Sequence, residues 1–183
     1  MKLRVGLVGL GTVGAGTVNV LRRNQVEISR RAGREIRIRS AAVRDLKVPR
    51  DCVVDDLTLT SNPFDVTDDP DISLVVELVG GCHIAKDVVL RSLQQGKHVV
   101  TANKALIALH GNDIFQTAHE RGLMVAFEAA VAGGISIIKV IREGLSGNRI
   151  DRIVGIINGT SNYILTLMLE EHYSFESALQ EAQ

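Results

Sequence analysis

The stretch LRVGLVGLGTVGAG, residues 3–16, decides the fold. It begins with a short apolar run, LRVGLV, that stops at a glycine, as buried parallel strands do. The glycines Gly9, Gly11 and Gly14 then follow with the spacing G-x-G-x-x-G, and a helical pattern starts at Thr12. A strand, a glycine-rich turn and a helix in that order predict the first unit of a dinucleotide-binding α/β domain.

Each glycine of this motif has a separate physical role. Gly9 lets the chain turn tightly out of the strand, and Gly11 lacks a Cβ atom, so that a pyrophosphate can approach the backbone. Gly14 lets the helix pack closely against the sheet. The first N–H groups of that helix, on Thr12 and Val13, lie at the positive end of its dipole and have no partner within the helix. These five residues therefore form the predicted phosphate site.

The chain then continues to alternate between strand and helix. Apolar or alternating runs predict strands at 35–43, 72–79, 97–102 and 123–129, and helical periodicity predicts helices at 12–31, 84–95 and 106–121. Residues 44–71 are acidic and contain all three prolines, so loops with at most one short helix are expected there. Strands separated by long helices form a mostly parallel sheet, which predicts a doubly wound, Rossmann-type α/β domain.

The C-terminal part predicts the beginning of a second, mixed α/β domain. Helical patterns at 135–145, at 161–171 and from 175 onward are separated by an apolar run, 152–157, that is typical of a strand. We therefore predict a cofactor domain, residues 1–130, and an incomplete second domain, residues 131–183. The sequence ends inside a helical pattern without a glycine, proline or turn signal, which favours a truncated chain.

Composition gives no sign of a nucleic-acid or membrane partner. The net charge is zero, the pI is about 7.0, and 45% of the residues are hydrophobic. The first apolar run is too short for a signal peptide, and no later run reaches the ~20 apolar residues of a membrane span. Cys52 and Cys82 are too few for a disulfide framework and lack the spacing of metal ligands. We expect a cytoplasmic protein whose partners are small molecules.

The end of the second strand bears on the choice of cofactor. A carboxylate there favours NAD, whereas an arginine favours the 2′-phosphate of NADP. The sequence AAVRDL supplies both, as Arg44 and Asp45. Because Arg44 follows the strand directly, we favour NADP and keep NAD open. Gly80 and Thr101, at the ends of the next two predicted strands, complete the predicted cofactor site on the nicotinamide side.

The stretch VTANKALIA, residues 100–108, places Lys104 just beyond one of these strand ends. Ligands bind at the carboxyl ends of parallel strands, so this lysine is a candidate for chemistry as well as for an ordinary surface charge. Hydride delivered to an aldehyde carbon leaves an alkoxide, which needs a proton or a nearby positive charge. An ammonium group can supply either, and it can also bind a carboxylate or a cofactor phosphate.

Four blocks of the sequence together resemble homoserine dehydrogenase: GLGTVG, VTANKALIA, EAAVAGGISII and NGTSNYIL. The resemblance extends over essentially the whole chain. It implies a Rossmann cofactor domain followed by a mixed α/β domain for catalysis and dimerisation, and a homodimer when full length. It also implies reduction of aspartate 4-semialdehyde to homoserine with NADPH or NADH, in the biosynthesis of threonine, methionine and isoleucine.

The resemblance implies roles for three residues of these blocks. Lys104 is implied to be catalytic and to lie in the cofactor site, because in the family it handles a proton during hydride transfer together with a second lysine. Gly159 and Thr160 are implied to help bind the amino-acid substrate. From the residues alone, Thr160 or Ser161 is as well suited to cap the following helix.

The resemblance further implies a structural sodium ion, held by Glu128 and by the backbone carbonyls of Val131, Gly133 and Ile135. Oxygen ligands suit a hard cation, and glycines let a loop turn its carbonyls inward. The alternative is that the Glu128 carboxylate accepts hydrogen bonds from loop N–H groups. A buried carboxylate with neither kind of partner would be costly.

Two other functions stay open at this point. In the family, the substrate-binding acids and the second lysine follow a segment like ALQEAQ, so the resemblance implies that this fragment is inactive alone. Another semialdehyde dehydrogenase would need a placed cysteine nucleophile, and Cys82 beside His83 has no suitable base geometry in a turn. A non-catalytic Rossmann module that senses nucleotides would leave Lys104 and the segment around Glu128 without a role.

Overall fold

The computed structural model describes residues 2–156 and 158–183, which form two compact units that divide between Val140 and Ile141. Among these described residues, the first unit has six strands: β1 Leu3–Val8, β2 Ile36–Ala42, β3 Thr58–Thr60, β4 Leu74–Glu77, β5 His98–Thr101 and β6 Val125–Ala126. All pair in parallel, in the order β3-β2-β1-β4-β5-β6. The strand order therefore reverses between β1 and β4, which confirms the predicted doubly wound α/β sheet.

Five helices connect these strands: α1 Thr12–Arg23, α2 Gln25–Ala32, α3 Pro63–Asp68, α4 His83–Gln94 and α5 Lys104–Glu120. Leu7 and Val8 are adjacent in β1 and fully buried, yet they belong to two separate apolar clusters. Because successive side chains of a strand point to opposite faces, both faces of the sheet are covered. Since helices and loops cover both faces, a ligand can reach the sheet at the carboxyl ends of its strands, where loops such as the one between β1 and α1 begin.

Several predicted elements differ from the observed ones near residue 24 and in the acidic segment. The helix predicted over 12–31 is two helices, because Asn24 leaves the helical conformation (φ −107°, ψ 19°). Asparagine is disfavoured inside helices, since its side chain hydrogen-bonds nearby backbone groups in non-helical conformations. The acidic segment contains β3 as well as α3. The three residues of β3 pair with Ser40, Ala41 and Ala42 of β2. A strand this short carries no periodicity, so only its pairing with β2 reveals it.

The end of the first unit is also less regular than predicted. β6 has two residues, and the helix predicted over 135–145 is a short helix, α6 Ile137–Lys139, followed by a π-type turn, Val140–Gly144. The predicted boundary between residues 130 and 131 stays a prediction. No helix among the described residues has both the length and the apolar character needed to cross a bilayer.

The described part of the second unit, residues 141–156 and 158–183, contains two helices, α7 Gly159–Glu170 and α8 Phe175–Glu181, as the sequence predicts. The strand predicted over 152–157 is wrong for residues 152–156, which have no regular secondary structure; Ile157 lies outside the described residues. The apolar side chains of Ile153, Val154 and Ile156 are exposed. A strand needs a partner for its backbone groups, and none pairs with this segment in the part of the chain described.

Candidate functional site

The glycine loop between β1 and α1 is shaped by two steric constraints. Gly9 has a φ of +103°, and a Cβ atom there would lie 2.7 Å from the carbonyl oxygen of Leu78. A Cβ atom at Gly14 would lie 2.4 Å from the carbonyl oxygen of Gly9. At Gly11, by contrast, a Cβ atom would meet nothing within 4 Å. Protein packing thus requires the first and third glycines, while the second faces open space that a ligand can occupy.

The start of α1 is open to a ligand. Gly11 is the N-cap residue, and no side chain caps the helix there. Thr12 and Val13, which follow it, are both exposed. The first N–H groups of an uncapped helix, together with the positive end of its dipole, are suited to bind phosphate oxygens.

The loop after β2 lies beside the glycine loop. Arg44 and Asp45 are exposed, and an Asp45 carboxylate oxygen accepts a hydrogen bond from the backbone N–H of Lys47 at 2.8 Å. The Arg50 guanidinium donates to the carbonyl oxygen of Asp45 and, at 3.4 Å, to that of Leu10. Sequence analysis missed Arg50, because only the fold brings it to a loop 40 residues away in the chain.

On the other side of the sheet's switch point, a buried carboxyl group joins two strand ends. Glu77, the last residue of β4, is fully buried. Its Oε1 accepts from the N–H of Val79 at 2.8 Å, and its Oε2 accepts from the hydroxyl of Thr101 at 2.5 Å. Burial raises the pKa of the Glu77 carboxyl, while hydrogen bonds from Thr101, Val79 and Asn103 act in the opposite direction.

Asn103 connects the same two strand ends from the other side. Its Nδ2 donates to the carbonyl oxygens of Val79 at 3.0 Å and Gly81 at 2.6 Å. Its Oδ1 accepts from the N–H of Leu106 at 3.0 Å and so caps α5. The pattern of an Asn just before a helix could have identified the cap. Nothing in the sequence could have identified the contacts with the 79–81 loop.

Lys104 is the first residue of α5 and is exposed. Within residues 2–140 its ammonium group makes no hydrogen bond and no ion pair. It follows β5, so it lies at the carboxyl edge of the sheet, as does the exposed Gly80 after β4. Thr101, in contrast, is fully buried and its hydroxyl is used by Glu77, so the structure does not expose this predicted cofactor residue to a ligand.

Glu128 accepts two backbone hydrogen bonds, as the alternative to a sodium site predicts. Its Oε1 accepts from the N–H of Ile138 at 3.0 Å and its Oε2 from that of Lys139 at 2.8 Å. The intervening loop turns sharply, with positive φ at Ala132 (47°) and Gly134 (85°). The carbonyl oxygen of Ile135 already accepts from the N–H of Ile137 at 2.8 Å. Each of these oxygens keeps a second lone pair, so the residues remain compatible with an additional cation.

The cap of α7 is Asn158. The sequence had offered Thr160 or Ser161 for this role, and neither of them caps the helix. The Asn158 side chain accepts from the N–H of Ser161 at 2.8 Å. Asparagine is among the best N-cap residues, and its side-chain oxygen accepts here from the N–H three residues further along the chain, as N-cap geometry requires. Gly159 and Thr160 are consequently the first residues of α7, and both are exposed.

The family can be assigned from comparison with known proteins. The model of the homoserine dehydrogenase NAD-binding domain matches residues 9–128, and a second homoserine dehydrogenase model matches residues 136–183. The chain belongs to the homoserine dehydrogenase family. The matched segments include the glycine loop, both strand ends joined by Glu77, and Lys104.

Relatives and solved structures agree with this assignment. Homoserine dehydrogenases from Pseudomonas aeruginosa and Neisseria gonorrhoeae are 55% and 52% identical to this chain, each over 99% of it. The crystal structure of a homoserine dehydrogenase from Thiobacillus denitrificans is similar with a TM-score of 0.90 and 57% identity; it matches all of this chain and 42% of its own. That of Staphylococcus aureus homoserine dehydrogenase at pH 7.5 has a TM-score of 0.80 and 36% identity, over 100% of this chain and 44% of its own.

The chain spans 41% of the length of the two bacterial relatives. Membership of the homoserine dehydrogenase family and the α/β fold of the cofactor unit follow directly from the matches.

Proposed function

We propose that this chain supplies the cofactor site and one catalytic lysine of a homoserine dehydrogenase that interconverts L-homoserine and L-aspartate 4-semialdehyde. The observation that carries the proposal is the exposed ammonium group of Lys104, unpaired within residues 2–140, at the carboxyl edge of a sheet whose β1–α1 loop is open to a dinucleotide. The enzyme would act in threonine, methionine and isoleucine biosynthesis, as a cytoplasmic homodimer.

The cofactor proposed is NADP, with NAD as the alternative. The N–H groups of Thr12 and Val13 would donate to the pyrophosphate, which passes Gly11 at close range. The adenosine half would lie beside β1 and β2, and the nicotinamide half beside Gly80 and β4. When bound, the nicotinamide exchanges a hydride with the substrate carbon.

Lys104 is proposed to manage the proton that accompanies this transfer. In the reducing direction its ammonium group donates a proton to the substrate oxygen, or stabilises the negative charge that develops there. In the oxidising direction the neutral amine accepts the hydroxyl proton of homoserine. In the second unit, the first N–H groups of α7, at Gly159 and Thr160, are proposed to bind the substrate carboxylate.

The experiment that tests the proposal uses a chimera in which residues 1–183 are followed by the remaining part of the Pseudomonas aeruginosa relative. The purified chimera is expected to reduce NADP in the presence of homoserine, whereas the 183-residue chain alone is expected to bind NADPH without turnover. A chimera that binds NADPH and shows no homoserine-dependent reduction would refute the proposed activity and would favour a nucleotide-sensing role.

Arg44 is proposed to select NADP over NAD. It is exposed and, within residues 2–140, makes no ion pair, whereas the neighbouring Asp45 carboxylate is engaged in its own turn. Arg44→Ala should weaken NADPH binding by the 183-residue chain roughly 10- to 100-fold, the value of a hydrogen bond between charged groups, and leave NADH binding within about twofold. Fluorescence titration measures both. Equal losses for the two cofactors would show that Arg44 does not read the 2′-phosphate.

A sodium ion is proposed beside Glu128, with the carbonyls of Val131, Gly133 and Ile135 as its other ligands. The donor set contains only oxygen, which suits an alkali cation, and the left-handed backbone at Ala132 and Gly134 gives the loop its sharp turns. Replacing sodium by tetramethylammonium should then lower the midpoint of thermal unfolding of the 183-residue chain, and Glu128→Gln should abolish this difference. Identical midpoints in both salts for the unsubstituted chain would exclude the ion.

A further inference from the structure

Glu77 has no part in the chemistry proposed so far, yet it is the only carboxyl group among the described residues that is fully buried. Within residues 2–140, no lysine, arginine or histidine forms an ion pair with it. Burial raises the pKa of the Glu77 carboxyl, so keeping this group at the end of β4 costs folding free energy. An apolar residue would fill a strand end of this kind at lower cost. The contacts of the carboxyl group are therefore its distinguishing feature.

An ionised carboxylate can only accept hydrogen bonds, and this fixes the direction of the bonds around it. The N–H of Val79 and the hydroxyl of Thr101 both donate to Glu77. Because the Thr101 hydroxyl hydrogen is committed to Glu77, its oxygen is free to accept, and it accepts from the N–H of Asn103 at 3.0 Å. The carboxylate thereby orients a hydrogen-bonded chain that runs from the end of β4 to the start of α5.

Asn103 closes this chain into a ring. Its side-chain amide donates to the carbonyls of Val79 and Gly81, and its side-chain oxygen caps α5, whose first residue is Lys104. The loop at 78–82 and the start of α5 are thus held to each other through Glu77, Thr101 and Asn103. Leu78, in the same loop, lies against Gly9, so the ring also borders the glycine loop.

We propose that Glu77 is a positioning residue for the nicotinamide half of the cofactor site, acting through Thr101 and Asn103 on the 78–82 loop and on Lys104. The inference rests on the proposed function, since it assumes a dinucleotide at this edge. In a doubly wound sheet, each half of the sheet binds one half of the dinucleotide, with β1 and β2 on the adenosine side. The hydrogen bonds of the Glu77 side chain go to Val79 and Thr101, on the nicotinamide side, so we expect its effect mainly on the nicotinamide half.

The test compares two ligands that share the adenosine half, NADPH and 2′,5′-ADP, on the 183-residue chain. Glu77→Gln replaces one carboxylate oxygen by an NH2 group, which donates and cannot accept. The two side-chain positions can then no longer accept from both Val79 and Thr101. The dissociation constant of NADPH should rise about tenfold, the usual value of a hydrogen bond to a charged group. That of 2′,5′-ADP should stay within about twofold. Isothermal titration calorimetry measures both constants.

A second variant and a matched control separate positioning from general damage to the fold. Thr101→Val removes the hydroxyl that links Glu77 to Asn103 and should cause the same selective loss, and the double variant should lose no more than either alone. Lys97→Met is the control, because Lys97 is also a buried ionisable residue but lies at the opposite edge, where it donates to the carbonyls of Asp69 and Ile72. It should lower stability without changing the ratio of the two dissociation constants.

The possible outcomes are distinct. If Glu77→Gln and Thr101→Val weaken NADPH and 2′,5′-ADP binding equally, or leave both unchanged, the positioning role is overturned while the proposed function stands. If Glu77→Gln does not fold, Thr101→Val decides between these outcomes. A wild-type chain that binds 2′,5′-ADP and NADPH equally would also overturn the inference, because no nicotinamide contact would then exist. A wild-type chain that binds neither ligand overturns the proposed function, and the inference with it.

Discussion

Lys104→Met is expected to lower kcat for homoserine oxidation by the chimera roughly 10³-fold, within the usual range for removal of a general acid or base. Methionine keeps most of the length of the side chain and removes its charge and its exchangeable proton. Lys104 is exposed and pairs with no acidic group of residues 2–140, so its loss should disturb neither the fold nor the start of α5. The dissociation constant of NADPH should therefore change by less than about threefold, which would locate the effect in the chemical step.

Lys86→Met provides the matched control for this substitution. Lys86 is on the neighbouring helix α4, and its ammonium group pairs with Asp113 at 3.3 Å and contacts His110 at 3.3 Å, both on α5. Its replacement should leave kcat within about twofold, because an exposed ion pair contributes little. If Lys104→Met retained more than a tenth of the wild-type kcat, the lysine would not be the proton donor. If it abolished NADPH binding as well, its charge would serve the cofactor and not the substrate.

Alanine substitutions at three glycines of the same loop and helix should have three different effects. At Gly14, the new Cβ would lie 2.4 Å from the carbonyl oxygen of Gly9, so the helix must move, and we expect a loss of about 2–3 kcal/mol of unfolding free energy. At Gly11 the backbone is extended and space is free, so stability should be unchanged. There, however, the methyl group occupies the path of the pyrophosphate, and NADPH affinity should fall roughly 10- to 100-fold.

Gly16→Ala is the control of this series. Gly16 is an exposed residue of α1 with nothing within 4 Å of a Cβ atom, so alanine should stabilise the helix by about 0.5–1 kcal/mol and leave NADPH affinity unchanged. Urea unfolding and fluorescence titration measure the two quantities on the same samples. A Gly11→Ala chain that binds NADPH with wild-type affinity would exclude the proposed approach of the pyrophosphate to this backbone.

The strongest elements of the fold could be predicted because their signals are local. The run from Leu3 to Val8 is apolar except for Arg4, and its last four residues are buried, as expected for a strand covered on both faces. The glycine spacing identifies the turn that follows. The alternation with helices of ten or more residues then requires parallel strands. β3 and the break at Asn24 could not be predicted, because the first depends on pairing with β2 and the second on one residue inside an otherwise helical pattern.

The residues of the candidate site fall into the same two groups, those that local signals could identify and those that they could not. The glycine loop, Arg44 and Lys104 could be selected from the sequence, since each follows a recognisable strand. The ring around Glu77 could not, because it joins residues 24 positions apart through hydrogen bonds that leave no pattern in the sequence. In the sequence, Glu77 is an ordinary polar residue at a strand end, and only the structure shows that it is buried.

The sequence by itself determined the parallel α/β class, the position of the glycine loop and the family to which the chain belongs. These properties depend on residue type and on spacing along the chain, which set the backbone conformation locally. Only the tertiary structure decided that Arg50 reaches Leu10 and that the Glu77 carboxyl links two loops. Contacts between distant segments depend on strand order and register, and these follow from the packing of the whole sheet, which no local pattern records.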